Sequence, residues 1–275
     1  MYKNIDFTNN DIIHIVGENI EFIQFRCLLE YKNVITHAYT LKHPSISFGP
    51  NLTIEEYSDN YQTLCKELNL NHNNIVRPYQ KHTANVQIIS EKQSSILEHN
   101  PEYLDNVDGL ITNQKDIILS TTNADCILFI LFDPVNNAIA NIHSGWRGTL
   151  DSIIINGVKQ MQTTYNSNPK DIICCICPSI RKCHFEVGED VKNLFYNKYK
   201  YLPNINNIIE IRDNKYYIDT VFLNKTLLLN IGLKEENIVD SNICSVCNQK
   251  QINSFRAHKE NYQLSTAIIS LNQNT

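Results

Sequence analysis

The stretch Asn123–Thr149, NADCILFILFDPVNNAIANIHSGWRGT, decides how the rest of the chain is read. It opens on the polar step Asp125-Cys126 and passes into a wholly apolar run, Ile127 to Phe132. Asp133-Pro134 and Asn136-Asn137 are turn signals, and a second apolar run, Ala138 to Ile142, follows them. Short apolar runs bounded by such dipeptides read as adjacent buried strands. Paired as a hairpin, they bring Cys126, at the start of the first strand, beside His143, at the end of the second. A thiol and an imidazole at one end of a buried hairpin make a metal pair or a nucleophile–base pair. A buried structural cysteine next to a capping histidine is the other reading, since free Cys is among the most buried residue types.

Outward from this hairpin, apolar runs and turns mark further elements. Ile12 to Val16, Ile20 to Phe25, Val34 to Tyr39, Val86 to Ile89, Val107 to Ile111 and Ile117 to Thr121 read as strands. So do Ile172 to Cys177, the short Tyr216 to Ile218, Asn253 to Arg256 and Ala267 to Leu271. Lys42 to Asn51, with Pro44, Gly49 and Pro50, reads as a loop. Thr53-Ile-Glu-Glu starts like a capping box, and Tyr57, Tyr61, Leu64, Cys65 and Leu68 recur at helical spacing. Ser152 to Tyr165, Glu189 to Tyr199 and Asp219 to Ile231 are further helices, the last stopped by Gly232. The order is neither strict strand–helix alternation nor all strand. The expected class is α+β, one domain over residues 1–275 with mixed sheets flanked by helices.

Composition narrows the function classes. A net charge of −5 without a basic block argues against duplex nucleic acid as a partner, although a local site can still hold a small anion. No stretch approaches 18 apolar residues, so no transmembrane helix is expected. The start, MYKNIDFTNNDIIHIV, lacks the basic and apolar regions of a signal peptide. With nine cysteines, an odd number, the chain is expected to carry reduced thiols in the cytoplasm.

Three polar clusters each edge an expected strand: Gln80-Lys81-His82, Asp125-Cys126 and His143 to Arg147. Two histidines and a cysteine form a known catalytic zinc set, with the fourth position left to water or substrate. The separation of Cys126 from His143 follows no short zinc-finger spacing.

The same clusters carry a resemblance. The chain is similar to the laccase-domain family, first described as multicopper polyphenol oxidoreductases and now regarded as purine nucleoside phosphorylases with adenosine deaminase activity. The family's central signature is Ala-Asp-Cys, an apolar run, Asp-Pro, a second apolar run and His-Ala-Gly-Trp-Arg-Gly. Here it reads Ala124-Asp125-Cys126, Asp133-Pro134 and His143-Ser144-Gly145-Trp146-Arg147-Gly148. Gln80-Lys81-His82-Thr83 stands for Gln-Val-His-Gly, and Asp108 to Thr112 for Asp-Ala-Leu-Val-Thr. Cys177 to Gly188, Cys244-Ser245 and Ser254-Phe255-Arg256 resemble the downstream motifs, so ordered matches run from residue 37 to 271.

The resemblance implies a zinc site made by His82, Cys126 and His143, with copper as the second choice of metal. It implies purine nucleosides and phosphate as the molecules bound. Deamination needs a water activated to attack C6 of the purine and a proton shuttle; phosphorolysis needs phosphate held beside C1′ of the ribose. Asp125 is the nearest carboxylate for proton transfer, its other reading being a strand-end hydrogen-bond acceptor. Lys42, Arg147 and Arg256 are the expected anion holders. Lys42 stands where the family has Arg, and Lys keeps the charge without the bidentate fork. Thr83, Cys177, Ser179, Ala257 and Gln263-Leu264 also depart from the family pattern. Trp146 is read as a packing anchor that could stack on a purine.

Two other activities fit the same residues. A thiol hydrolase would use Cys126 with His143, as suggested for bacterial relatives in peptidoglycan editing. A copper-dependent phenol oxidase is disfavoured, because nine scattered histidines with no His-x-His pair supply no multi-His cluster. The remaining cysteines read by default as buried strand thiols; Cys244-Ser-Val-Cys247 is a CxxC without a spaced partner pair, so a structural zinc there is the less favoured reading.

Overall fold

The computed structural model describes residues 5–43, 45–49, 52–92 and 102–273. Of the expected loop at Lys42 to Asn51, Pro44, Pro50 and Asn51 lie outside the described residues, and the rest is irregular. Among the described residues the strands form two six-stranded sheets and a small three-stranded one, so the class is α+β with mixed sheets.

The hairpin sits inside the second large sheet. Its strands are Ile127–Asp133 and Ala138–Ser144, antiparallel and fully buried, with Ile127 opposite Ser144 and Leu128 opposite His143. Asp133 closes the turn: Oδ1 accepts the amides of Val135 and Asn136. Ile173–Ile176 and Gly109–Thr112 flank the hairpin, and Ile238–Asp240 and Val86–Ile88 form the edges. The first large sheet runs in the order Ile12–Val16, Glu21–Phe25, Ile35–Thr40, Ser265–Leu271, Ile118–Asn123 and Ile75–Val76.

Side chains alternate across a strand. Leu128, Ile130, Phe132 and Ile139 therefore face the first sheet and share a core with Ile12, Ile23, Leu119 and Ile269. Ile127, Phe129, Leu131 and Ala140 face the other way, against helices Ile153–Tyr165 and Thr220–Asn230. Helix Ile54–Glu67 covers the outer face of the first sheet with Tyr57, Tyr61 and Leu64. Its capping box is formed: Thr53 Oγ1 accepts from Glu56 N, and Glu56 Oε2 accepts from Thr53 N. Asn141, buried between the two large sheets, donates to Leu119 O and Ala267 O and so ties one sheet to the other.

Gly232 ends helix Thr220–Asn230 with φ of 106°, as expected for its C-terminal position. Asn253 to Arg256, expected as a strand, instead leads into a short helix, Phe255–His258. Two contacts account for it: Ser254 Oγ caps the helix by accepting Ala257 N, and the amide of Arg256 donates to the Asp125 carboxylate instead of to a neighbouring strand. A further short helix, Trp146–Leu150, precedes the expected helix; Ser152, at φ of 60°, separates the two.

Candidate active site

The register of the hairpin explains the first pair. Residues directly opposite share a face, and so do residues two apart on one strand. His143 lies opposite Leu128, and Cys126 lies two residues before Leu128, so His143 and Cys126 project from the same face at one end of the ladder. His82 reaches them from a different segment, the turn that precedes Val86–Ile88, with a left-handed φ of 62°. The ligand atoms of His82, Cys126 and His143 all lie within 4.8 Å of one another, and the two imidazoles meet edge to face at 5.0 Å.

Asp108 holds two of the three. Its carboxylate accepts the backbone amides of Lys81, His82 and Thr83 at 3.2, 3.0 and 2.7 Å and the Thr83 hydroxyl at 2.8 Å. Its Oδ1 also lies 2.8 Å from His143 Nδ1. Burial pushes the Asp108 carboxyl up, but the His143 and Thr83 hydrogen bonds outweigh it and hold it below the usual carboxylate range. With Nδ1 turned to Asp108, His143 presents its other ring nitrogen to Cys126. A carboxylate behind a ligating histidine is the usual arrangement for fixing its tautomer.

Gly145 makes the room. A Cβ there would stand 2.4 Å from His82 Cδ2 and 3.4 Å from Cys126 Sγ. The chain turns without a left-handed residue at this point, φ being −68°, so the demand for glycine is steric.

Cys126 and His143 perturb one another. Burial pushes the thiol up, but the charge of His143 and hydrogen bonds from His143 and His82 outweigh it, leaving Cys126 at about 6. His143 rises to about 9: burial opposes its charge, and the Cys126 thiolate and Asp108 more than offset that. A thiolate beside two imidazoles, one oriented by a carboxylate, is a donor set that fits zinc or copper and leaves a coordination position open.

The three donors lie on the wall of a cavity of about 650 Å³. Asp125, Arg147 and Arg256 line the same cavity, as do the aromatic rings of Trp146, Phe185 and Tyr262. Asp125 has a left-handed φ of 85° and is held from both sides: Ser245 Oγ donates to Oδ1 and Arg256 N to Oδ2, each at 2.6 Å. The Arg256 guanidinium donates to His184 O and Glu186 O at 3.1 Å, which orients it along the wall. The guanidinium of Arg147 lies 4.2 Å over the ring of half-buried Trp146. Lys42 is not brought to this wall: its ammonium lies 2.9 Å from His258 Nε2 and donates to Gln249 O. Arg77, a cation the sequence did not single out, lines the cavity with its guanidinium 4.1 Å over the Tyr57 ring. Asp108 and Gly145 also went unread as site residues, although both stand in the matched motifs and Asp108 is a lone carboxylate inside the run Val107 to Ile111.

Residues 53–272 match the family described as multi-copper polyphenol oxidoreductase laccase, and the chain belongs to that family. It is similar to a purine nucleoside phosphorylase of Bacteroides thetaiotaomicron, 31% identical over 183 residues that cover 66% of this chain and 67% of that one. It is also similar to adenosine deaminase RL5 from an unknown prokaryotic organism, 30% identical over 198 residues that cover 70% and 74% of the two chains. The fold is that of YlmD from Geobacillus stearothermophilus, with a TM-score of 0.82, 22% identity and coverage of 96% of this chain and 100% of that one.

Proposed function

We propose that this protein is a purine nucleoside phosphorylase acting on adenosine, inosine and guanosine, with adenosine deaminase activity, and that His82, Cys126 and His143 hold a zinc ion. The observation that carries the reading is the open tripod of donors on the wall of a cavity that also holds aromatic rings, two arginines and a fixed carboxylate. The names of the relatives give the substrate class. Zinc held by His82, Cys126 and His143 would supply a Lewis acid for a substrate oxygen or a water.

The chain's own residues do the rest. Aromatic side chains such as Trp146, Phe185 and Tyr262 offer faces on which a purine stacks. Arg147 and Arg256 offer the positive charge that holds phosphate beside C1′ of the ribose, so that the glycosidic bond breaks as the C1′–phosphate bond forms and the base leaves. Asp125, beside Cys126 and locked in orientation, moves the proton during deamination. As Lys42 stands off the wall, Arg77 is the better third cation for the anion. All nine cysteines are free thiols, which supports a reducing compartment such as the cytoplasm. No helix among the described residues is long and apolar enough to cross a membrane.

The test is incubation of the purified protein with adenosine, with and without phosphate, resolving adenine, inosine and hypoxanthine. Phosphate-dependent adenine and phosphate-independent inosine are expected, both lost in Cys126→Ala. Wild type that makes no more product than that variant under either condition overturns the reading.

One observation favours a second reading. The lowered thiol of Cys126 and the raised imidazole of His143 also describe the nucleophile and proton partner of a thiol hydrolase. Covalent trapping of Cys126 by an electrophilic acyl analogue, without inhibition by chelator, would favour it. For a copper phenol oxidase the donors are too few: among the described residues the two donor groups contain two histidines and one.

A further inference from the structure

Four residues from the second half of the chain meet outside the cavity. Cys183 and His184 lie on the turn that follows Ile180, and Cys244 and Cys247 are the ends of the CxxC. The ligand atoms of all four lie within 4.8 Å of one another. Cys183 Sγ is 3.5 Å from Cys244 Sγ and 3.9 Å from Cys247 Sγ. His184 Nδ1 is 3.2, 3.6 and 3.5 Å from the sulfurs of Cys183, Cys244 and Cys247. A tetrahedral zinc with thiolate and imidazole bonds has donor–donor edges of about 3.8 Å between sulfurs and about 3.6 Å between sulfur and nitrogen. The five edges lie within about 0.4 Å of that tetrahedron. They do not match a disulfide, whose sulfurs stand about 2.05 Å apart.

We propose that Cys183, His184, Cys244 and Cys247 form a second metal site, a closed Cys3His zinc centre that staples the turn after Ile180 to the CxxC turn. The separation of 61 residues between Cys183 and Cys244 hides the partner pair that the CxxC lacks in sequence. The backbone brings the pair together: Ser179 bridges to Cys244, and Ser245 N donates to Ser179 O at 3.0 Å. With four protein donors the site keeps no open position, so its role is structural.

The staple sits behind the cavity wall. His184 O accepts from Arg256, Phe185 lines the cavity, and Ser245, next to Cys244, donates to Asp125. A metal here therefore fixes two turns that orient Arg256 and Asp125.

The test is a metal count on the whole protein, produced in zinc-supplemented medium and desalted. Two zinc ions per chain are expected in wild type, one for each donor group. His82→Ala should keep one, and Cys183→Ser/Cys247→Ser should keep one. After replacement by cobalt(II), the double variant should lose most of the thiolate-to-cobalt absorption, because three of the four thiolates in the two groups belong to the second. If His82→Ala retains no metal, or intact-mass measurement finds wild type shortened by two hydrogens through a disulfide at these cysteines, the proposal is overturned. The His82→Ala count decides even if the double variant does not fold. Two ions bound by a protein inactive on nucleosides would leave this site standing and sink the proposed activity alone.

Discussion

Asp108 Oδ1 and His143 Nδ1 lie 2.8 Å apart in the interior of the protein, and the same carboxylate accepts the backbone of the turn that carries His82. One buried side chain thus sets both the tautomer of one imidazole and the position of the other. Asp108→Asn keeps the volume but puts an amide group against donors on several sides. We expect metal affinity at the tripod to fall by about 10- to 100-fold, the cost typical of losing a partner behind a ligating histidine. Competition with a chromophoric chelator measures it, and affinity within twofold of wild type would show that Asp108 does not support the tripod.

Gly145 gives a steric prediction. A methyl group at this position would overlap His82 Cδ2, 2.4 Å away, and crowd the Cys126 sulfur at 3.4 Å. Either His82 swings out or the chain after Ser144 shifts. Gly145→Ala should cost tenfold or more in metal affinity, roughly the scale for disturbing a ligand's support. The unfolding midpoint should change little, since His82 is exposed and can move into solvent. Unchanged metal binding would show that the turn has slack the close approach does not suggest.

The hairpin was legible because its signals are local: two apolar runs, a turn with its own hydrogen-bonding Asp133, and polar ends. Helices Ile54–Glu67 and Glu189–Tyr199 were legible for the same reason, through the Thr53 capping box and helical spacing. Phe255–His258 was not, because its conformation depends on Asp125, 131 residues away, accepting the Arg256 amide. Asp108 stayed hidden in the same way: three of its donors are backbone amides 25 to 27 residues upstream, which leave no side-chain signal, and His143 is 35 residues downstream. Lys42 shows the converse. Motif position suggested an anion holder, but half-buried Lys42 lies beside His258 and Gln249, and burial lowers its ammonium below its ordinary value.

Asp125 separates proton transfer from anchoring. Its carboxylate oxygens are each taken at 2.6 Å, one by Ser245 and one by Arg256. We expect Asp125→Asn to lower kcat for deamination by about 10²- to 10⁴-fold, the usual worth of a positioned acid–base group. If kcat changes little while the unfolding free energy falls by about 1–3 kcal/mol, the price of unsatisfied buried donors, Asp125 is an anchor only.

His37 predicts how stability responds to acid. It is fully buried in the first large sheet; its Nε2 accepts the amide of Phe25 at 2.8 Å, and its ring stacks on Phe25 at 6.3 Å. An acceptor nitrogen must be unprotonated, so the folded ring is neutral with its proton on Nδ1. Burial lowers its pKa from 6.5 to about 3. Between these values the unfolded chain binds a proton that the folded chain does not, so stability falls as pH falls. The contribution is complete above about pH 6.5, and its loss approaches about 1.4 kcal/mol per pH unit below that. Urea unfolding at pH 7.5, 6.0 and 5.0 measures the slope. His37→Gln keeps an acceptor but cannot take the proton, so its stability should fall less steeply than wild type over that interval. Parallel slopes for the two proteins would mean that His37 can be protonated without leaving the folded state.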